Sequence, residues 1–442
     1  MTRPTARVSC AFALSVLVSL ASATPALAQD PPDHLIQAPP VAPLGAAKIH
    51  VHPNGFRVGR GPFVPEAEYP LLRAIAAAEA LHVADPATVV LEVHGAIPAP
   101  LGQQIGGGAA GLKPYRVAWK AAPIDVAVRG ATGPYSDSIP GFVLLKDLTD
   151  GTGTTGVLRF RVENLAIRGT PFGHSVVSTP NGLPPTLGDS VYPTLQIYGC
   201  RIEKGDGQPN WGARLHGRAR FDFRDNHFSY MAEHSAYIDS PQGDSYFLRN
   251  TTSGSTRTML QVVNRSTANP GPSGHGLLLV EGNLATNVDG SGGSDFTVAG
   301  HLGTVIFRKN VSYQGAGQSG SQGSIVVYTD ASPRHGAHLD DAGFSTTKVI
   351  VQGHTVVAPD ADRDHVMLSG AATVEIRDGF LVVGSRTAFH FDSEYGGPVK
   401  NGSECFVTAG PASSHPGFMS ALKVRRSKVV LSPMQIDALW CP

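Results

Sequence analysis

The feature that most constrains this chain is a series of short strand-like segments that all end alike. In order they read LRFRVEN (158–164), TLQIYGC (194–200), RFDFRDN (220–226), SYFLRN (245–250), LLLVEGN (277–283), TVIFRKN (304–310), KVIVQGH (348–354) and TVEIRDG (373–379). Each alternates apolar and polar positions, which gives an extended chain one buried face. Each then stops at Asn, Cys, His or Gly, and Asn and Gly tolerate the left-handed backbone that a sharp turn needs. Asn226 and Asn250 are 24 residues apart, as are His354 and Asp378, and the longer intervals carry Gly, Pro and Ser that read as loop insertions. A second series lies between these ends: ARLH (213–216), AYID (236–239), MLQVVN (259–264), FTVA (296–299), IVVY (325–328), VMLS (366–369) and AFHF (388–391). The chain therefore repeats a unit of several short strands around a corner. Such units bury a continuous core only when stacked. Stacking also lets Asn226, Asn250, Asn283 and Asn310 form a ladder of amide hydrogen bonds, so these four are read as structural corner residues.

This pattern resembles the right-handed parallel β-helix of the pectin-lyase-like superfamily, over residues 85–430. The resemblance implies an all-β solenoid whose first coils are TVVLEVHG (88–95) and IDVAVRGATG (124–133). The alternative is an antiparallel β-sandwich or propeller, which the scarcity of Asn-Gly hairpin signals disfavours. Long helical patterns are nearly absent. In residues 66–83, Leu71, Leu72, Ile75, Ala78 and Leu81 recur at helical spacing, and this helix is expected to cap the amino-terminal end of the solenoid. Residues 434–439 suggest a short terminal helix. The expected organisation is a leader over 1–28, an amino-terminal segment with the capping helix over 29–84, and the β-helix with its carboxy-terminal cap over 85–442.

The leader is read from Arg3 and Arg7, an apolar run over residues 10–20, and the small-residue site Ala26-Leu27-Ala28 before Gln29. It places the mature protein in the periplasm or outside the cell, and no later apolar run is long enough to span a bilayer. Lys plus Arg number 35 and Asp plus Glu 35, so neither nucleic acid nor an anionic membrane is implied as a partner. Cys405 and Cys441 are placed to staple the carboxy-terminal end, in a compartment that permits disulfides. Cys200, inside a strand-turn run, reads as a small buried hydrophobe. No cysteine spacing resembles a zinc site.

The stretch EHSAYIDSPQGDSYFLRN (233–250) gathers titratable and aromatic groups where a plain solvated strand would carry Thr, Ser or Lys. Three coils align here without gaps when Leu215, Ile238 and Val262 point inward. Arg214, Tyr237 and Gln261 then form one outward column, and His216, Asp239 and Val263 another. On the approach to these strands Asn210, Glu233 and Arg257 align, as do Trp211, His234 and Thr258; Asn264 and Arg265 extend the far end. Later coils offer Thr, Val, Ala and Ser at comparable places. The polar cluster is therefore local to about three coils, which a merely solvated face has no reason to be.

The resemblance adds a location, because pectin-lyase-like enzymes place their polysaccharide groove on one parallel sheet bordered by loops. Segments 175–190 and 265–274 read as walls of such a groove. The implied activity is β-elimination on a uronic-acid polymer, which needs a base, an acid and a group that stabilises enolate-like charge. His234 is assigned as base and Tyr237 as acid, or the two in exchanged roles, with Arg257 as the third catalytic group. Arg214, Arg265, Asn264 and Gln261 would hold the substrate carboxylate. Glu233 or Asp239 would orient the imidazole, and Trp211 and His216 complete the binding surface. Each also has a bland reading: His234 as a turn cap or corner filler, Tyr237 as a sugar-stacking surface residue or strand former, Arg257 as a salt-bridge partner of Glu233 in the adjacent coil, and His216 as a rung partner of Asp239. The rival functions are a glycoside hydrolase, which needs two facing carboxylates, and a non-catalytic carbohydrate-binding or surface β-helix. No metal ligand is assigned; Ca²⁺ can take the place of the cationic side chains, segment 287–295 only partly matches a Ca²⁺ loop, and segment 334–341 reads as a loop insertion with incidental His and Asp residues. An acidic polysaccharide is the expected partner, and the protein is expected to be a monomer.

Overall fold

The computed structural model describes residues 47–84, 89–99, 101–102, 111–112, 115–119, 125–146, 159–170, 175–178, 194–205, 210–216, 220–241, 243–254, 257–263, 275–286, 294–313, 324–328, 346–357, 366–369, 371–383, 406–407, 424–425, 428–431 and 439–440. The leader, the segment 388–391, Cys405 and Cys441 lie outside these residues, as does the expected terminal helix except Leu439, which forms a short strand with Trp440. No helix among the described residues is long and apolar enough to cross a membrane.

Each coil lays three strands on three faces. The first face carries the strands that led the sequence reading, among them Arg159–Glu163, Thr194–Tyr198, Arg220–Arg224, Ser245–Leu248, His275–Glu281 and Leu302–Arg308. Each pairs in parallel with its counterpart one coil away. The second face holds three-residue strands just past the corner: Ala166–Arg168, Arg201–Glu203, His227–Ser229, Thr251–Ser253, Leu284–Thr286 and Val311–Tyr313. The third face is a separate ten-stranded sheet that runs from Tyr115–Trp119 to Val424–Arg425, parallel throughout. Coil-to-coil parallel pairing on all three faces is incompatible with a sandwich or propeller. The chain is a right-handed parallel β-helix, the hand that parallel crossover connections take.

The interior is one apolar core. Phe221, Phe223, Phe228 and Phe247 are buried without exposure, and the rings of Phe228 and Phe247 stack 6.1 Å apart from one coil to the next. The helix spans Pro70–Ala84 and buries Leu71, Ala74, Ile75 and Ala78 against that core, with Leu72 and Leu81 half-buried beside it. It starts four residues later than its apolar spacing suggests. Pro70 suits the first helical turn, where an N–H is dispensable, and the Glu66 carboxylate accepts the N–H groups of Glu68 and Tyr69 in the turn before it. Ahead of the helix, Ala47–His52 already joins the first face, parallel to Val89–Val93, and folds back as a hairpin with Gly55–Val58.

The corner between the first and second faces departs from the sequence reading. Asn164 is itself left-handed, at φ 54°, but in the later coils the left-handed residue is the one before the asparagine: Asp225, Arg249 and Lys309 have φ of 56°, 51° and 52°, and Gly199, Gly282 and Gly353 hold the same place. This leaves the next side chain pointing inward. The side chain of Asn250 accepts from the backbone N–H and Nδ2 of Asn226, and Asn283 and Asn310 continue the ladder in the same way. Cys200 and His354 occupy the same column at its two ends. Cys200 is a free thiol with no exposure, and its N–H donates to Asn226 Oδ1.

Candidate functional site

The expected columns form, residue for residue. Trp211 pairs with His234 and His234 with Thr258; in the same way Arg214, Tyr237 and Gln261, Leu215, Ile238 and Val262, and His216, Asp239 and Val263 follow one another rung by rung. The corner that leads into these strands is equally regular. The Asn210 carbonyl accepts the N–H of both Glu233 and His234, and the Glu233 carbonyl accepts those of Arg257 and Thr258. One carbonyl serving two successive N–H groups bends the chain there. Ser235 turns inward to hydrogen-bond Thr252 (Oγ to Oγ1, 2.7 Å), so His234 and Tyr237 come to lie beside each other.

Five side chains converge at this bend. The rings of His234 and Tyr237 are 5.4 Å apart and those of Trp211 and Tyr237 are 6.3 Å apart. The Arg214 guanidinium lies 4.0 Å over the Trp211 ring and 5.9 Å from that of Tyr237, a cation–π arrangement that fixes a charge beside the phenol. Glu233 Oε2 stands 3.9 Å from His234 Nε2. Glu233 is thus the carboxylate near the imidazole, whereas Asp239 accepts from the Ser240 hydroxyl at the other end of the strand. Trp211 Nε1 is buried with no hydrogen-bond partner among the described residues, and leaving such a donor unmade costs about 1–3 kcal/mol.

The cluster is more closed than an open groove would be. His234 is 4% exposed and Tyr237 5%, because Val263 and Ala299 from the next coils pack on Tyr237 together with Trp211. Arg214, Glu233, Asp239 and Gln261 are half-buried and Arg257 is exposed. Arg257 does not meet Glu233 in an ion pair among the described residues; the link between them is the backbone bond from its N–H to the Glu233 carbonyl, 2.8 Å. The side chain of His216 and all of Asn264 and Arg265 lie outside the described residues. So do residues 179–190 and 265–274 of the expected walls, while Ser175–Ser178 is a strand of the third face rather than loop. Residues 334–341 also lie outside. Of segment 287–295 only Ser294 and Asp295 are described. Asp295 is buried, and burial pushes its carboxyl up to about 7.

No family model and no curated protein sequence matches the chain. Among solved structures it is similar to the Dettilon tailspike protein, at 13% identity and a TM-score of 0.33, with 71% of this chain and 64% of that one covered. It is also similar to the A-module of the Azotobacter vinelandii mannuronan C-5 epimerase AlgE6, at 15% identity and a TM-score of 0.31, with 84% and 97% covered. The chain therefore spans just under two thirds of the tailspike's length.

A second polar group, not singled out in the sequence, occupies the first face. The Tyr198 hydroxyl donates to Asp222 Oδ2 (2.7 Å), and Arg224 donates to both Asp222 oxygens (2.6 and 2.8 Å). The guanidinium of Arg224 lies 5.6 Å from each of the Tyr198 and Tyr246 rings, and Arg161 lies 5.6 Å from that of Tyr198. Burial and the Asp222 charge push the Tyr198 phenol far above its ordinary range. Outward positions two apart in TLQIY, RFDFR and SYFL carry the signal, but the same alternation is expected of any ion-paired outer face.

Proposed function

We propose that the protein is a secreted or periplasmic polysaccharide lyase that cleaves a uronic-acid-containing polymer by β-elimination. The observation that supports this most is the contact of the His234 and Tyr237 rings at 5.4 Å with the Arg214 guanidinium 5.9 Å from the phenol ring. A base, an acid and a fixed cation are the three groups the elimination needs. Arg214 would face the substrate carboxylate and stabilise the charge that grows when His234 takes the proton from the adjacent carbon. The electron pair of that C–H bond forms the new double bond, the glycosidic C–O bond breaks, and the leaving oxygen takes its proton from Tyr237. Glu233 would hold the imidazole orientation through Nε2, and a sugar hydroxyl would satisfy Trp211 Nε1. Hydrolysis fits less well. Glu233 and Asp239 are six residues apart, up to about 20 Å along an extended strand, against roughly 5–9.5 Å for paired glycosidase carboxylates.

The near-complete burial of His234 and Tyr237 favours a second reading, a carbohydrate-binding β-helix without chemistry in which these rings are packing and Arg214 and Trp211 the binding platform. One experiment separates the two. The chain is incubated with alginate, pectate, glucuronan and glycosaminoglycans and followed by the ultraviolet absorbance of unsaturated ends. The lyase reading expects that absorbance with one polymer class, and its loss by at least a hundredfold in Tyr237→Phe and His234→Ala. Reducing ends without the absorbance, or full rates in both variants, would overturn it. Binding without product would leave the platform reading in its place.

A further inference from the structure

The amino-terminal end of the β-helix carries a histidine cluster that the proposed chemistry does not use. The first strand, Ala47–His52, ends in His50-Val51-His52, and its parallel neighbour, Val89–Val93, runs on through Glu92-Val93-His94. Val51 and Val93 point into the core without exposure. Alternation therefore sends His50, His52, Glu92 and His94 to the opposite face of the same pair of strands. His50 is directly opposite Glu92 in the register, and the rings of His52 and His94 stack at 4.6 Å with 11° between their planes.

Three ligand atoms converge within this array. His50 Nδ1 is 3.2 Å from His94 Nε2 and 3.3 Å from Glu92 Oε2, and one ligand atom from each of the three residues lies within 4.8 Å of the others. Zinc binds imidazole nitrogen and carboxylate oxygen at about 2.0–2.1 Å in tetrahedral geometry, which sets neighbouring ligand atoms about 3.3 Å apart. The two spacings around His50 match that edge. Lys48 Nζ occupies Glu92 Oε1 at 2.6 Å, which leaves Oε2 turned toward the histidines. Stacking by His52 fixes the His94 ring, the orienting role that neighbours of metal-bound histidines commonly play. Arg57, opposite His50 on the hairpin, puts a positive charge nearby and would weaken the site without blocking it.

We propose that His50, Glu92 and His94 form a binding site for a divalent late first-row cation, Zn²⁺ in the first instance, with the fourth position open to solvent. The ion would staple the strand that precedes the capping helix to the first coil that follows it. Because such a site exists only when those strands are paired, binding would stabilise the folded end of the solenoid.

The test uses the full chain, metal-stripped and then titrated with Zn²⁺, with Co²⁺ as a spectroscopic substitute. The expected result is one equivalent of Zn²⁺ bound at micromolar affinity or tighter, visible absorption of four-coordinate Co²⁺, and a rise in melting temperature on Zn²⁺ addition. His94→Ala and the nearly isosteric Glu92→Gln should each weaken binding at least tenfold and remove the thermal shift; the Gln variant covers the case in which the Ala variant does not fold. His227→Ala, on a distant coil, should leave binding intact. No stoichiometric binding would mean that His50 shares only a proton with its neighbours, and the proposal would fall. Binding that survives both substitutions would place the ion elsewhere and overturn it equally.

Discussion

Replacement of Asn250 by alanine tests the corner ladder, on which the alignment of every other column depends. The Asn250 side chain has no exposure and makes four hydrogen bonds. It accepts from Asn226 N–H at 3.1 Å and Asn226 Nδ2 at 3.0 Å, and donates to the Phe223 carbonyl at 3.0 Å and to Asn283 Oδ1 at 3.1 Å. Not all four losses matter equally. Asn226 Nδ2 keeps the Ile197 carbonyl, and Asn283 Oδ1 keeps the Asn250 N–H. The Asn226 N–H and the Phe223 carbonyl lose the partner that Asn250 supplied. At about 1–3 kcal/mol for each buried group left unsatisfied, the cost is about 2–6 kcal/mol. Urea unfolding reads it as a lower midpoint at unchanged slope. Because a solenoid is held by nearest-neighbour contacts, amide exchange at Asn226 should also quicken while that of Asn310 stays protected. Asn250→Asp adds a sign check. A buried carboxylate cannot donate to Phe223 or Asn283, so its penalty should grow as pH rises and shrink where the group is protonated. A cost under about 1 kcal/mol for the alanine variant, or unchanged exchange at Asn226, would refute the claim that the side chain is what satisfies this corner.

Asp295 is buried beside a chain of polar contacts in which Ser312 meets Ser324, and Ser324 Oγ lies 2.6 Å from His354 Nε2. Burial raises its carboxyl from 3.8 to about 7, against the pull of a Ser312 hydrogen bond. The folded state therefore holds a proton that the unfolded state has released, so stability should fall as pH climbs from about 4 to about 7 and level off above that. The difference between the two values corresponds to about 4 kcal/mol. The wild type minus Asp295→Asn difference in urea midpoint should carry that slope, and a flat difference would show that the carboxyl is ionised inside. Burial also pushes the Cys200 thiol up to about 12, so labelling at Cys200, located by mass spectrometry, should track unfolding rather than reagent concentration. Rapid native-state labelling there would contradict the packing of the corner.

Much of the fold was legible because one-face burial forces alternation and stacking forces repetition. Two such constraints together fixed the register to the residue. Leu215, Ile238 and Val262 align only one way without gaps, and the polar columns beside them then follow. The corner was misplaced because Asp225 and Asn226 are both suited to a turn. The signal that separates them is a slip of phase. Phe221 and Phe223 are inward on odd positions, but Phe228 is inward on an even one. Ile197 and Ile202 repeat the slip around Gly199, and Val280 and Ala285 around Gly282. One left-handed residue absorbs the extra step and leaves the following side chain facing in.

The candidate site was legible as a set of neighbours but not as an environment. Register is a property of one strand and the next, and the sequence encodes it directly. Closure over Tyr237 comes from Val263, one rung on and displaced by two residues, and from Ala299, a coil further. Val263 reads in sequence as one more member of an outward column and Ala299 as the end of the polar patch; in space both are its cover. The histidine cluster was missed for the complementary reason. Its halves, at 50–52 and 92–94, are separated by the hairpin and the helix, so no repeat alignment brings them together. It becomes visible only once Ala47–His52 is found on the first face beside Val89–Val93. Both cases share one cause: periodic sequence reports which residues share a rung, whereas burial and convergence depend on what the non-periodic segments deliver to it. On this solenoid the functional hypotheses therefore stand or fall on the aperiodic positions, Val263 over Tyr237 and His50 against His94, rather than on the repeat that made the fold readable.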